Sequence, residues 1–330
     1  MLSNTSSSKA KVTKSLTLTL SLIGLLLGGL ARGQDNSLSK PIVSGMWVWH
    51  EETYQTVEQR ARLLKFCRDH QFNHLDVSVQ IEKKDGRASV VDPDELTDLL
   101  TRAAEAKVSI CALRGSQRMF FETDYPATLA ELQAIIEFNN RLPVGLRFTG
   151  VKYDVEPHTL AEWRQGGPTR EKIMRDYLGC LQRLRETLVS EAKGGPRMKL
   201  SVDIPFWWHK PDLTIEFAGQ TKPFSQHVQD LTDSVTLMSY RRDPEEVKRI
   251  VESEREYAVK IGKQVLPGLL HSKAHNPADA SLSFYGLPTS EYLRVRHELE
   301  DWASHEPGIG GIMHHHYGSL SNSLETAVSP

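Results

Sequence analysis

Two acidic side chains stand two positions apart in a strand-like segment near the middle of the sequence. The segment Gly150–His158 is GVKYDVEPH, with carboxyls at Asp154 and Glu156 and a lysine at Lys152. Because residues two apart in a β-strand point to the same face, this spacing predicts that the two carboxyls share one space. Two close carboxyls resist ionising together, so the pKa of one should rise and suit a general acid near neutral pH.

The elements that must position this pair alternate along the chain. Apolar residues three and four positions apart indicate helices in segments such as Thr56–His70 and Glu245–Gly262. Between such segments, strands are predicted over Gly45–His50, Phe72–Gln80, Val108–Gly115, Phe148–Glu156, Met198–Trp207, Asp233–Tyr240, Gln264–Leu270 and Gly308–His316. This alternation predicts an α/β protein with a single (β/α)8 barrel, the TIM barrel. A doubly wound open sheet is the alternative, which the lack of a glycine-rich phosphate loop after the first strand disfavours.

Chemistry in a TIM barrel gathers at the carboxyl ends of the strands. The predicted strands end in polar or aromatic residues: His50, Gln80, Arg114, Glu156, Trp207, Trp208, Tyr240, Arg241, His271 and His314 to His316. Their opposite ends are mostly small or apolar. We therefore expect a functional site at the carboxyl-end rim, with the segments His209–Gln226 and His271–Ser290 lying over the barrel mouth.

The fourth predicted strand resembles a motif of the family 18 glycoside hydrolases, the chitinase-like barrels. Their pattern D-x-x-D-x-D-x-E aligns without a gap with FTGVKYDVE, with Thr149 and Lys152 in place of the first two aspartates. LMSY, ending at Tyr240, resembles the Met-x-Tyr of the family's sixth strand. GIGGIM resembles its closing strand, with HHHYG in place of the family's tryptophan.

This resemblance implies hydrolysis of an oligo- or polysaccharide without a cofactor. Glu156 would protonate the glycosidic oxygen, while Asp154 and Tyr240 would orient the sugar, whose own acetamido oxygen attacks the anomeric carbon. Such enzymes are exceptions to the rule that glycosidases use one carboxyl as the acid and a second carboxyl as the base or nucleophile.

Further side chains near the predicted strand ends are candidates for substrate binding. Tryptophan rings suit the faces of pyranose rings, and a few polar groups fix a ligand's orientation in a concave site. For Trp47 and Trp49, packing against the helices is the alternative interpretation, and for Asp76 and Asp203 it is pairing with Lys152. The predicted set comprises Trp49, Asp76, Gln80, Arg114, Lys152, Asp203, Trp207, Arg241 and His315.

Three other functions remain open from the sequence. VKYD also resembles the nucleophile motif of α-galactosidase-like barrels, which would make Asp154 the nucleophile and Asp243 an acid/base. A carbohydrate-binding barrel without catalysis is favoured by Thr149 and Lys152. A metal-dependent hydrolase would use the histidines of strand eight, but a zinc site needs three or four protein ligands and only His314 and His316 share a strand face, so no metal is predicted.

The first 33 residues predict an export signal rather than part of the fold. Lys9, Lys11 and Lys14 precede the apolar stretch Leu16–Leu30, and Ala31–Gly33 offers a small-x-small cleavage site. The stretch is short for a spanning helix, which needs ~20 residues. An uncleaved N-terminal anchor is the alternative. Residues 34–330 are then expected to be a secreted or periplasmic catalytic barrel.

Composition limits the partners. The net charge of −2 gives no basic surface for nucleic acid, so none is expected, and no membrane contact is expected beyond an N-terminal anchor. Cys67, Cys111 and Cys180 lie in apolar segments and are expected to be buried free thiols, although one disulfide among them is the alternative.

Overall fold

The computed structural model describes residues 39–192, 196–273 and 277–326, and the strands within those ranges form a closed barrel with two added hairpins. The strands are β1 (Val43–Val48), β2 (His74–Ser78), β3 (Ile81–Lys84), β4 (Arg87–Val90), β5 (Ser109–Arg114), β6 (Gly150–Asp154), β7 (Lys199–Pro205), β8 (Thr214–Phe217), β9 (Gln220–Pro223), β10 (Ser234–Met238), β11 (Gln264–Leu270) and β12 (Gly311–His315). The barrel order is β1-β2-β5-β6-β7-β10-β11-β12, all parallel, and β12 pairs with β1. The predicted (β/α)8 barrel is confirmed.

Helices follow the barrel strands and form the outer layer. They are α1 (Val57–Asp69), α2 (Pro93–Glu105), α3 (Tyr125–Asn140), α4 (Ala161–Arg164), α5 (Gly167–Glu191), α6 (Phe224–Leu231), α7 (Pro244–Lys260), α8 (Thr289–His305) and α9 (Tyr317–Thr326). Capping side chains explain where two of them begin. Thr56 and Gln59 form a capping box on α1, and the Asp243 carboxylate accepts a hydrogen bond from the backbone N–H of Glu245 at the start of α7.

Two antiparallel hairpins, β3–β4 and β8–β9, interrupt the alternation and were not predicted. Each turns through two residues with positive φ, Asp85 (52°) and Gly86 (79°) in one and Ala218 (51°) and Gly219 (75°) in the other. This backbone matches the twist of a tight hairpin, and Asp-Gly is a strong sequence signal for it.

The β8–β9 hairpin corrects one expectation about the barrel mouth. Arg175 on α5 donates a hydrogen bond to the Glu216 carbonyl (2.8 Å). The turn residue Ala218 lines a groove together with Val189, which is near the C-terminal end of α5. This segment therefore runs down the outer helical layer instead of covering the mouth. The second segment expected over the mouth follows β11, and its residues 274–276 lie outside the described residues. Ser283, in the same segment, accepts a hydrogen bond at its carbonyl from Arg242 (2.6 Å).

The apolar core lies between the strands and the helices. Barrel residues such as Leu75, Val151, Val202 and Leu237 are fully buried there. A smaller apolar cluster of Trp47, Leu113 and Met313 fills the barrel interior. The interior also holds charged side chains, and these build the candidate site.

The three thiols behave as expected. Cys67, Cys111 and Cys180 are all buried and free. Burial raises the pKa of the Cys67 and Cys180 thiols to about 12. Each thiol therefore stays protonated near neutral pH.

The predicted export signal, residues 1–33, lies outside the described residues. Within the described ranges, we find no helix whose length and apolar character would let it cross a membrane.

Candidate active site

The two acids of the sequence motif lie at the carboxyl end of β6, but only one of them belongs to the strand. β6 ends at Asp154, and Glu156 directly precedes a short 3-10 helix that starts at Pro157. Pro157 has no backbone N–H to donate to a neighbouring strand, so the strand pairing ends here. The Glu156 carbonyl accepts a hydrogen bond from the Thr159 hydroxyl (2.7 Å). The prediction that both acids share a face within one continuous strand is therefore wrong, although both remain at the mouth.

The charge of Glu156 acts on the pKa of Asp154, and the charges of both acids act on the pKa of Tyr240. Burial, followed by Asp203 and Glu156, raises the pKa of Asp154 well above its usual range. Burial and then Asp203 raise the pKa of Glu156. Burial, Asp154, Asp203 and Glu156 together raise the pKa of the Tyr240 hydroxyl far above its ordinary value. Asp203 contributes to the shift of all three pKa values, so Asp154, Glu156 and Tyr240 form one electrostatic unit.

Beneath this unit the barrel interior holds a buried ion triad, consisting of Asp76, Lys152 and Asp203. The Lys152 Nζ lies 2.6 Å from Asp76 Oδ2 and 3.0 Å from Asp203 Oδ1. The exposed fraction of the Lys152 side chain is 3%, and that of each carboxylate is 1%. The ammonium also lies over the Trp47 ring, 4.7 Å from its centroid. A buried ion pair needs such additional contacts to offset desolvation.

The triad fixes the charge of its own members. Burial alone would neutralise Lys152, but Asp203 and Asp76 raise its pKa instead. Burial opposes the charge of Asp76 as well, and Lys152 and His74 hold its pKa below the usual value. Asp203 differs, because burial outweighs Lys152 and raises its pKa. One cation therefore serves two carboxylates, and Asp203 is the less well neutralised of the two.

Two side chains outside the predicted substrate-binding set, Trp47 and His74, contact the carboxylates of the triad. The Trp47 Nε1 donates a hydrogen bond to Asp203 Oδ2 (2.9 Å), so this ring lies inside the barrel rather than against the helices. The His74 Nε2 lies 3.0 Å from Asp76 Oδ1, and its Nδ1 lies 2.8 Å from the Ser109 hydroxyl. His74 could have been found from the sequence, because it precedes Asp76 by two positions on one strand.

Replacing Trp47 by Phe should destabilise the protein by about 1.5–3 kcal/mol, the typical contribution of a hydrogen bond to a charged group. Phenylalanine keeps one aromatic ring but removes the pyrrole part of the indole, so Asp203 Oδ2 loses its donor inside the barrel. Urea unfolding of the purified variant measures the change. Trp302→Phe, on α8 in the outer layer, is the matched control and should have a smaller effect. Equal losses in the two variants would contradict a special role for the Trp47 donor.

The burial of the triad corrects three predicted substrate contacts. Asp76, Lys152 and Asp203 point inward as expected, but their exposed fractions leave no surface for a sugar hydroxyl. They pair with one another, which was the alternative interpretation of the two aspartates. Their influence on a ligand would be indirect, through Asp154.

Two further predicted contacts lie away from the mouth interior. Arg114 donates hydrogen bonds to Glu131 on α3 (2.7 Å) and to the Val79 carbonyl (2.6 Å), so its side chain faces the helical layer. Its neighbour Leu113 is the residue that points into the barrel. Gln80 is exposed at the start of the β3–β4 hairpin. The prediction that Arg114 faces the mouth is wrong.

Aromatic side chains remain accessible at the rim. Trp49 and Trp207 are each partly exposed, and Trp49 packs on the interior cluster around Trp47. The Trp207 ring contacts His158 edge to face, with centroids 5.5 Å apart. Trp208, by contrast, is fully buried. Trp49 and Trp207 therefore keep the surface that a sugar ring requires, and Trp208 does not.

His315 lies beside the predicted tyrosine. Its ring centroid is 6.2 Å from that of Tyr240 and 5.6 Å from that of Trp47. Burial and the neighbouring His316 lower the pKa of His315 to about 3, so the ring is neutral near neutral pH. Arg241 donates hydrogen bonds to the Tyr240 carbonyl (2.7 Å) and to Glu246 (2.9 Å). The neutral His315 ring has one nitrogen that donates a hydrogen bond and one that accepts a hydrogen bond.

The histidines of β12 do not converge on one point. The His314 ring lies outside the barrel, where its Nδ1 is 3.0 Å from the Tyr292 hydroxyl of α8. The His316 ring contacts His50, with centroids 5.9 Å apart. Among the residues that the structure describes, no group of three or more His, Cys, Asp or Glu side chains is arranged to hold a metal ion.

Two surface grooves of about 550 Å³ lie elsewhere. One is bounded by α5, α6 and the β8–β9 hairpin, and the other by the N-terminal part of α5 and the loop that follows β5. Neither contains Asp154 or Glu156. The candidate site therefore rests on the charged groups of the mouth rather than on these grooves.

No protein-family model matches the sequence, and a search of curated proteins finds no match. Solved structures do match. The spore cortex-lytic enzyme SleL of Bacillus cereus is 13% identical, with 85% of this chain and 72% of SleL covered and a TM-score of 0.50. The chitinase ChiW of Paenibacillus sp. str. FPU-7 is 10% identical, with 87% of this chain and 32% of ChiW covered and a TM-score of 0.51.

A third similar structure is the pneumococcal exo-β-D-N-acetylglucosaminidase StrH with its GH20 catalytic modules. It is 9% identical, with 84% of this chain and 79% of that chain covered and a TM-score of 0.51. At these identities the likeness concerns the fold alone. The chain has the TIM-barrel fold found in chitinases and related glycoside hydrolases, as the resemblance of its β6 and β10 motifs suggested.

Proposed function

We propose that this protein is an exported glycoside hydrolase. Glu156 is the general acid that protonates the glycosidic oxygen, and Asp154 and Tyr240 orient the sugar at the scissile bond. The observation that carries the proposal is the raised pKa of Glu156 at the carboxyl end of a barrel strand. A general acid must hold its proton near the working pH, and such tuning by burial and neighbouring charge concentrates at functional sites.

The surroundings of Glu156 support sugar as the ligand. Trp49 and Trp207 offer partly exposed rings at the rim, and the neutral His315 lies beside Tyr240. Rings with a few fixed polar groups are typical of concave ligand sites. The activities named for the similar structures, a chitinase, a cortex-lytic enzyme and an N-acetylglucosaminidase, agree with this class of substrate.

The direct test is a panel of polysaccharides and aryl glycosides, with acetamido and non-acetamido sugars in matched pairs. The proposal expects released product from at least one member. Release from acetamido substrates alone would favour substrate-assisted hydrolysis. Binding without release across the panel would favour the second candidate, a carbohydrate-binding barrel, which is supported by Thr149 and Lys152 at the motif positions of two aspartates.

Asp154→Asn should lower turnover by on the order of 10²-fold, because the amide can occupy the same place but cannot change its charge as the reaction proceeds. Steady-state kinetics on the best substrate of the panel measure the change. Asp212→Asn, on an exposed carboxylate that lies 3.5 Å from Arg170, is the matched control and should leave turnover unchanged. Wild-type turnover in Asp154→Asn would remove this residue from the mechanism.

The α-galactosidase-like alternative assigns the nucleophile to Asp154 and the acid/base to Asp243. Two observations disfavour it. Burial raises the pKa of Asp154, which disfavours the ionised form that a nucleophile needs. Asp243 is exposed and caps α7 through the N–H of Glu245. Under that alternative Asp154→Asn abolishes activity while Glu156→Gln is mild, the reverse of the order proposed here.

Export is the second part of the proposal. The charged and apolar pattern of residues 1–33 supports it, and secretion or transfer to a periplasm would bring the barrel to its polysaccharide. Analysis of the N-terminus of the mature protein from culture supernatant or periplasm tests this. A new N-terminus near Gln34 is expected, and an intact protein retained in the cytoplasm would contradict export.

A further inference from the structure

Two carboxyls lie on neighbouring strands at the floor of the candidate site, with Asp203 buried and Asp154 half-buried. Asp154 on β6 pairs in register with Asp203 on β7. Paired residues of adjacent parallel strands point to the same face, and the strands lie about 4.8 Å apart. Lys152 and Asp203 meet inside the barrel, so this shared face is the inner one. The register therefore places the two carboxyl groups side by side.

Each of these carboxyls has one oxygen without a hydrogen-bond partner. The Oδ1 atoms of Asp154 and Asp203 are both buried and unpartnered within the described part of the chain. Lys152 Nζ lies 3.0 Å from Asp203 Oδ1 and partly offsets its charge, whereas Asp154 Oδ1 has no donor within the described part of the chain. A buried oxygen left without a donor costs about 1–3 kcal/mol, and more when it is charged. A donor between the two oxygens would satisfy both.

The local count of charges requires a proton in this place. Asp76, Asp203, Asp154 and Glu156 supply four carboxyls, and Lys152 is the cation in contact with Asp76 and Asp203. Asp76 takes the closer contact with Lys152 and also faces His74. Asp203 is held in place from its other side by the Trp47 indole. Carboxyls that share one face of neighbouring strands resist ionising together, so the pKa of one of them rises.

We infer that Asp154 and Asp203 share one proton across β6 and β7, and that Asp203 is the positioning residue that keeps Asp154 neutral. The shared proton itself does not depend on the proposed function, but its role in catalysis rests on it. A neutral Asp154 would limit the negative charge beside Glu156 and Tyr240. Asp203 does not touch the substrate. It acts through Asp154, with Lys152 and Trp47 holding it in place.

The raised pKa values of Asp154 and Asp203 agree with this arrangement. Interacting carboxyls titrate in steps that belong to the pair rather than to either residue. The shared proton can therefore be observed without any substrate.

The test is a pH titration of the whole protein labelled with carbon-13 at its aspartate carboxyl carbons, followed by NMR. In the wild type, two signals should shift together in the same two titration steps. The apparent pKa of one step should lie well above the ordinary range for aspartate. Asp154→Asn and Asp203→Asn assign the signals, since each removes one. In Asp203→Asn the Asp154 signal should titrate in one step at lower pH, and Asp212→Asn should change neither signal of the pair.

Independent titration of the two wild-type signals would overturn the inference, even if Asp203→Asn failed to fold. An unchanged Asp154 titration in a folded Asp203→Asn would overturn it as well. If the protein proves to be active, the basic limb of its rate profile should move to lower pH in Asp203→Asn, because the Asp203 charge raises the pKa of Glu156. A coupled titration in a protein without hydrolytic activity would refute the proposed function and leave the shared proton standing.

Discussion

Glu156→Gln is expected to lower turnover by on the order of 10²–10⁴-fold, the usual contribution of a positioned general acid. The amide keeps the shape of the side chain and its hydrogen-bonding reach but has no proton to give to the leaving oxygen. Substrate affinity should change little, so the loss should appear in kcat rather than KM. Aryl glycosides with good leaving groups should suffer less than natural glycans, because they depend less on protonation.

The control for this variant is Glu186→Gln, on an exposed carboxylate of α5 that accepts a hydrogen bond from Gln182 (2.9 Å). It should keep wild-type turnover. Thermal unfolding of both variants should match the wild type, since Glu156 is partly exposed beyond the end of β6. An active, folded protein that is indifferent to Glu156→Gln would refute the proposed mechanism.

Lys152→Met should destabilise the fold by about 3–5 kcal/mol, the usual loss when one partner of a buried ion pair is removed. The variant leaves Asp76 and Asp203 in the barrel interior without the ammonium that lies between them. Urea unfolding monitored by circular dichroism gives the free energy of unfolding. Lys65→Met, which removes an exposed lysine paired with Asp69 on α1, is the matched control and should be close to neutral.

A triple variant separates charge from packing in this result. Lys152→Met combined with Asp76→Asn and Asp203→Asn removes the whole triad, and a substantial part of the lost stability should return. No recovery would show that the aliphatic part of Lys152 and its contact with the Trp47 ring contribute the stability, rather than the charges.

The barrel could be predicted from the sequence because each strand is a short apolar run followed by a helical period. Which face of β5 points inward could not be predicted. A strand of a parallel barrel is buried on both sides, so its sequence does not alternate between apolar and polar residues. Arg114 illustrates this, since it was predicted at the rim, and only the closed sheet shows that Leu113 points inward instead.

The residues of the candidate site also fall into those that could be predicted from the sequence and those that could not. Asp154, Glu156 and Tyr240 could be identified because local motifs carry them. The triad depends on the register of β1, β2, β6 and β7, which brings Trp47, Asp76, Lys152 and Asp203 together from distant parts of the chain. Spacing within one strand contains no information about that register. The end of β6 before Glu156 was also missed, although the proline at position 157 was a visible signal.

The pairing of β12 with β1 has a consequence for the order in which the barrel forms. Val43 lies against Gly311, so the seam joins the first and last strands of the domain. Pairing across such a separation must overcome the entropy of closing a very long loop, which makes it intrinsically slow. Until β12 docks, β1 and β11 remain open edges whose backbone groups can pair with other chains. Closure of this seam is therefore expected to remove both open edges at once and to protect the barrel against aggregation.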